Sequence, residues 1–250
     1  MARFGIRGLC SSISAAAVLC SVVLAIPAAA QSSAGSAAPW TGFNLNVGLG
    51  HGVWSAGTTT ILPSTGVCRL CTEQEQGGDG IIGRGGVGFD YQVDRWVWGV
   101  FGDVDFGDIA GTIQDQDPYF ASRLPQTHSF AVGGRAGWLV LPDLLPYVSA
   151  GYTQAYYGAT NMVTTFVGAA TPFSTPGFTT GGWFIGGGAE YRLTPDWSVR
   201  GEYRHAEYDG KDIVDTCTGC GGPQSTIRFH PSTDTFVASV VYKFNPLSLP

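Results

Sequence analysis

Four cysteines at the tips of polar stretches form two CxxC pairs, Cys68/Cys71 and Cys217/Cys220. Two converging pairs could give zinc its four thiolates. In an exported chain the same thiols oxidise, so disulfides are favoured over zinc, either within each pair or between the two stretches. Four cysteines allow three pairings, and spacing does not choose among them. Asp103 and Asp105, with His128 and His205 elsewhere, could serve as base and orienting group in a hydrolase. Their alternation instead turns both acids toward an interior, where pairing with Arg135 or Arg84 accounts for them. His205-Ala206-Glu207 followed by Cys217-Thr218-Gly219-Cys220 has part of a zinc deaminase pattern, but Thr216 stands where that chemistry needs a proline and His205 falls on a strand. GRGGVG, with Gly83, Gly85 and Gly88, spells a dinucleotide fingerprint, yet the chain after it continues as strand rather than helix. No cofactor or catalytic set is expected.

Those residues ride on a period of two. In segment 40–54, Phe43, Leu45, Val47 and Leu49 share one face, and Asn44, Asn46, Gly48 and Gly50 the other. Segments 80–93, 96–108, 128–140, 146–159, 180–193, 196–208 and 233–244 repeat the scheme, which makes eight strands. Connections alternate between tight ones at 93–95, 141–145 and 193–195 and long polar ones at 55–79, 109–127, 160–179 and 209–232. Short turns at one end and long loops at the other are the layout of an antiparallel, up-and-down transmembrane β-barrel, with short turns and both termini in the periplasm.

Lipid offers no partner to an open sheet edge, so the first and last strands must close on each other. Eight strands enclose only enough space for their own side chains. The charges that alternate inward are Arg84, Asp90, Asp103, Asp105, Arg135, Glu190, Arg192, Arg200, Glu202, Arg204 and Lys243. Both signs are present, which predicts an ion-pair network that fills the lumen and sets the register. Trp40, Trp54, Trp96, Trp138, Trp183 and Trp197 lie near segment ends and read as interfacial girdles, with carbohydrate stacking open for Trp54 alone.

Composition agrees with this architecture. Charged residues make up 13% of the chain, against roughly 25% in soluble proteins, while aromatics reach 12% and glycines number 37. Arg3 and Arg7, an apolar stretch at 13–26, Pro27 and Ala28-Ala29-Ala30 read as a signal peptide over 1–30. Its apolar run is too short for a membrane helix of about 20 residues. Cleavage removes two of the 13 basic residues and none of the 19 acidic ones, moving the net charge from −6 to −8. Such a surface excludes nucleic acid as a natural partner. The mature chain, 31–250, divides into a short segment 31–39, a barrel at about 40–244 and a tail at 245–250.

The strings WTGFNLNVGLGHG, GGVGFDYQVDRWVWGVFGDVDF, GGWFIGGGAEYRLTPDWSVRGEYRHAEY and TFVASVVYKF resemble the small outer-membrane immunogenic proteins of alphaproteobacteria, porin-family, opacity-type barrels. The resemblance covers the mature chain and is weakest in the loops. It implies an eight-stranded barrel in the Gram-negative outer membrane, with structural, porin-like or antigenic roles and no shared catalytic residues. Such barrels end at the aromatic residue read by the assembly machinery, here Phe244, whereas this chain continues to Pro250. The expected function is a structural, surface-exposed barrel, monomeric, in contact with outer-membrane lipid and lipopolysaccharide. A narrow diffusion channel is the alternative, and an outer-membrane enzyme a remote one.

Overall fold

Residues that alternate between lipid and lumen can satisfy their backbone only by pairing sideways, and the described strands do so. The computed structural model describes residues 40–61, 68–114, 120–164, 168–217 and 222–244. The signal stretch 1–30, segment 31–39, Cys220 and the tail 245–250 lie outside them.

Eleven antiparallel strands make up the described fold: β1 (Gly42–Ile61), β2 (Cys68–Val93), β3 (Trp96–Gln114), β4 (Phe120–Trp138), β5 (Leu144–Tyr157), β6 (Thr160–Thr164), β7 (Ala170–Thr175), β8 (Phe178–Arg192), β9 (Trp197–Tyr208), β10 (Lys211–Cys217) and β11 (Gly222–Phe244). In the lower storey the pairing runs β1-β2-β3-β4-β5-β8-β9-β11 and returns to β1, from Phe43 opposite Phe244 upward. In the upper storey β6, β7 and β10 take the places of β5, β8 and β9, since β4 pairs β6, β6 pairs β7, β7 pairs β10 and β10 pairs β11. Each circuit has eight members and they share five strands. The other three positions are divided strands, broken at 158–159, 176–177 and 209–210, where glycine or proline interrupts the ladder.

This corrects the reading of 55–79, 109–127, 160–179 and 209–232 as loops. Most of those residues are strand, and the tube rises beyond the lipid-facing belt.

Alternation sets the facing throughout. On β1, Phe43, Leu45, Val47 and Leu49 are 55%, 46%, 68% and 71% exposed, while Asn44 is buried. The same parity carries Trp54, Ala56, Thr58 and Thr60 inward. Higher up, however, it is the inward set that is apolar. Trp54, Ile109, Ile113, Leu124, Tyr157, Phe178, Ile213 and Phe229 form one buried cluster. The lower storey shows apolar residues to lipid and the upper storey hides them from water, as the surrounding medium demands of each.

Trp40 and Trp54 therefore depart from the girdle expected for them. Both are buried, at 1% and 0% exposure. Trp54 meets Tyr157 and Phe229 edge-on at 6.3 and 5.8 Å, and its indole N–H donates to the Ile109 carbonyl at 3.1 Å. Trp96, Trp138, Trp183 and Trp197 do face outward, with Trp96 packed on Trp98 and Trp138.

Candidate functional site

The interior of the tube is the candidate site, because the charges of the strands converge there. Glu190 on β8 is wholly buried, opposite Arg200 on β9. Its Oε2 accepts from Arg135 Nη1 at 2.9 Å and Arg200 Nη2 at 2.8 Å, and its Oε1 from the Ser198 hydroxyl at 2.7 Å, with Lys243 Nζ at 3.4 Å. Asp90 on β2 takes both Arg135 Nε, at 2.8 Å, and Arg135 Nη2, at 2.6 Å, together with Lys243 Nζ at 3.2 Å and Asn44 Nδ2 at 3.1 Å. Such forked, charge-assisted bonds are the strong kind. The approach of Arg135 to Asp90 requires Gly99 between them: a Cβ there would lie 2.4 Å from Asp90 Oδ1.

A second cluster sits above the first. Arg84 grips Asp105 through Nε and Nη2 at 2.7 and 2.9 Å and reaches Glu202 Oε1 at 2.8 Å. Arg204 grips Asp103 at 3.0 and 2.9 Å and the same Glu202 oxygen at 2.8 Å. Asp105 is thus paired with Arg84, whereas Asp103 belongs to Arg204 rather than to Arg135 or Arg84. Tyr147 joins the layers: its hydroxyl donates to Glu202 Oε2 at 2.7 Å, and Arg135 and Arg200 lie 5.2 and 5.9 Å from its ring.

The lower cluster holds three cations and two acids, the upper one two cations and three acids. Each one-charge excess faces its opposite, so the stack is balanced although neither layer is. The Arg192 guanidinium lies 4.1 Å from the Trp40 ring, with Lys243 Nζ 4.2 Å from the same ring. Trp40 in turn donates to the Pro142 carbonyl and packs with Val97, Leu139 and Leu145 at the lower end of the tube. Arg204 lies 4.4 Å from the Phe184 ring, beneath the aromatic cluster of the upper storey.

Sequence reasoning named the charges but missed these two apolar clusters, and with them Tyr147. Parity alone would have turned Trp54 inward, since it stands an even number of residues from Asn44.

The remaining motifs are placed as follows. Gly83, Gly85 and Gly88 lie within the unbroken β2. His205 and Glu207 point outward on either side of the buried Ala206, with His205 Nδ1 at 2.8 Å from Asp234 and Nε2 at 3.3 Å from Glu207. Cys217, at the end of β10, is buried and disulfide-bonded. The side chains of Cys68 and Cys71, and all of Cys220, fall outside the described residues. Among the described residues no three His, Cys, Asp or Glu are grouped to hold a metal.

An antiparallel tube that is apolar toward its surroundings, charged within and closed strand to strand is a membrane β-barrel. The chain belongs to the outer membrane protein beta-barrel domain family, whose model matches residues 16–244. It is a protein of the Gram-negative outer membrane. It is 22% identical over 248 residues to the 31 kDa outer-membrane immunogenic protein of Brucella melitensis biotype 1, covering 96% of this chain and 98% of that one. The Brucella suis biovar 1 protein of the same name matches with the same figures. Among solved structures it is similar to the outer membrane protein OprG of Pseudomonas aeruginosa, at 10% identity and a TM-score of 0.49, over 82% of this chain and 97% of that one.

Proposed function

We propose that the protein is a closed structural barrel, which reinforces the outer membrane and holds its upper storey outside the cell. The turns at 94–95, 139–143 and 193–196 then face the periplasm. The observation that carries this reading is the filling of the lumen. An aromatic cap at Trp40, two ion-pair layers and the aromatic cluster around Trp54 follow one another along the axis. Among the described residues, two spaces in the interior, beside Tyr208 and beside Arg200, measure about 20 and 10 Å³. Each has room for about one water molecule and none for a hydrated solute.

A non-catalytic role is supported by the same geometry, since Asp103 and Asp105 are both committed to arginines inside the tube. Likeness to the Brucella immunogenic proteins supports an exposed upper storey that antibodies can reach. Phe244, packed edge-on against Tyr242 at 4.6 Å, closes the last strand and is the residue offered to the assembly machinery. The barrel acts as a monomer in contact with lipid and lipopolysaccharide. Liposome swelling tests the closed state: vesicles carrying the refolded protein should shrink in a small neutral sugar and stay shrunken. Recovery of volume would replace this reading with a diffusion pore.

A further inference from the structure

Across β9, β11, β1 and β2 the outward side chains change in ordered rows. Val199, Val240, Val47 and Gly85 stand level, then Gly201, Ala238, Leu49 and Gly83, then Tyr203, Phe236, His51 and Ile81. The next row is His205, Asp234, Val53 and Asp79, and above it come Glu207, Ser232, Ser55 and Gly77. Within a few registers the wall passes from aliphatic to aromatic, then to ionisable, then to hydroxyl-bearing. That is the sequence of media met on leaving the hydrocarbon for the headgroup layer.

The wall is recessed at the top of this series. β9 ends at Tyr208, and the break at 209–210 leaves an open hollow of about 580 Å³ between Glu207, Ser232, Ser55, Gly57, Glu75 and His230. Gly210 is part of its construction, because a Cβ there would lie 2.2 Å from the His230 ring. The Ser55 and Ser232 hydroxyls are 2.9 Å apart. His230, Gly57 and Glu75 form the row behind them, so the glycine backbone is a flat floor between an imidazole and a carboxylate.

We propose that this hollow binds a sugar ring of an outer-leaflet glycolipid headgroup. Two carboxylates accept hydrogen bonds from ring hydroxyls or an amine, two serine hydroxyls both donate and accept, and the bare glycine backbone receives the ring's C–H face. Glu75 and Glu207 repel phosphate, so the ligand presents its uncharged or amine-bearing part here. The hollow opens sideways, directly above the lipid-facing rows, and a sugar anchored by acyl chains in the membrane reaches it without leaving the bilayer. The assignment depends on the outward face alone, so it stands or falls independently of whether the lumen conducts.

Binding of lipopolysaccharide in detergent micelles to the full chain, read by a mobility or fluorescence shift, provides the test, with phosphatidylglycerol micelles as the sugar-free control. The parent should prefer lipopolysaccharide, and Glu75→Gln and Glu207→Gln should each weaken that binding roughly tenfold, as a charge-assisted hydrogen bond becomes a neutral one. Both variants should keep the heat-modifiable migration of a folded barrel and unchanged binding to phosphatidylglycerol. Parent-like affinity in both variants, or equal affinity of the parent for the two micelles, would overturn the site. Full competition by free oligosaccharide at the same concentration would overturn its assignment to a membrane-anchored ligand.

Discussion

Glu190 serves Arg135, Arg200, Lys243 and Ser198 from a fully buried position. Removing it leaves three cations sharing one remaining acid, Asp90, and an unpaired buried charge is far costlier than an absent pair. Glu190→Ala should therefore lower the folding free energy in lipid by about 3–5 kcal/mol, read as an earlier urea midpoint. A change below about 1 kcal/mol would mean that water already solvates the layer. Tyr147→Phe is the milder probe. It deletes the hydroxyl that donates to Glu202 while keeping the ring near Arg135 and Arg200, and should cost about 1.5–3 kcal/mol.

Turns and storeys are the next scale. Asp94 turns β2 into β3 with φ at 54°, in the left-handed region that aspartate tolerates and β-branched residues do not. Asp94→Val should destabilise the barrel by roughly 1–2 kcal/mol and Asp94→Gly should not, a contrast measurable by urea titration. Trp54 packs the upper storey, where the hydrophobic effect in water takes over from lipid solvation. Trp54→Ala should cost that storey about 3–5 kcal/mol and open its backbone to trypsin at Arg123 on β4 and Arg228 on β11, while the lower barrel keeps its heat-modifiable migration. At this scale the sequence was legible where one medium acted on the strand. The lipid-facing sets Phe43 to Leu49 and Phe236 to Phe244 follow from period two alone. The upper strands escaped notice because apolar side chains change faces there while parity does not, as from Leu49 outward to Trp54 inward. Their serines, threonines and glycines then read as loop. The breaks at 158–159, 176–177 and 209–210 depend on tertiary pairing that no local pattern states.

For the whole molecule, the reversal of pattern locates the membrane. A charge placed on the outward face of the lower storey must enter hydrocarbon, whereas the same charge above the aromatic rows meets water. Val47→Arg should cost about 2–4 kcal/mol and Thr59→Arg about zero. Equal effects would mean that the lipid belt has been misplaced. The interior charges, by contrast, were legible in the sequence as a list and illegible as a network. Alternation says that Arg84, Arg204 and Glu202 face inward, but only the register and the curvature of the closed sheet decide that both arginines share one Glu202 oxygen.

The central claim is that these layers close the tube, and single-channel conductance in a planar bilayer tests it most directly. The refolded parent should be silent or show only rare small steps. The double variant Arg200→Ala with Glu202→Ala should show larger openings, because it removes one contact of Glu190 and the shared acceptor of Arg84 and Arg204. A steady ohmic conductance in the parent, unchanged in the variant, would contradict the account and leave an open channel in its place.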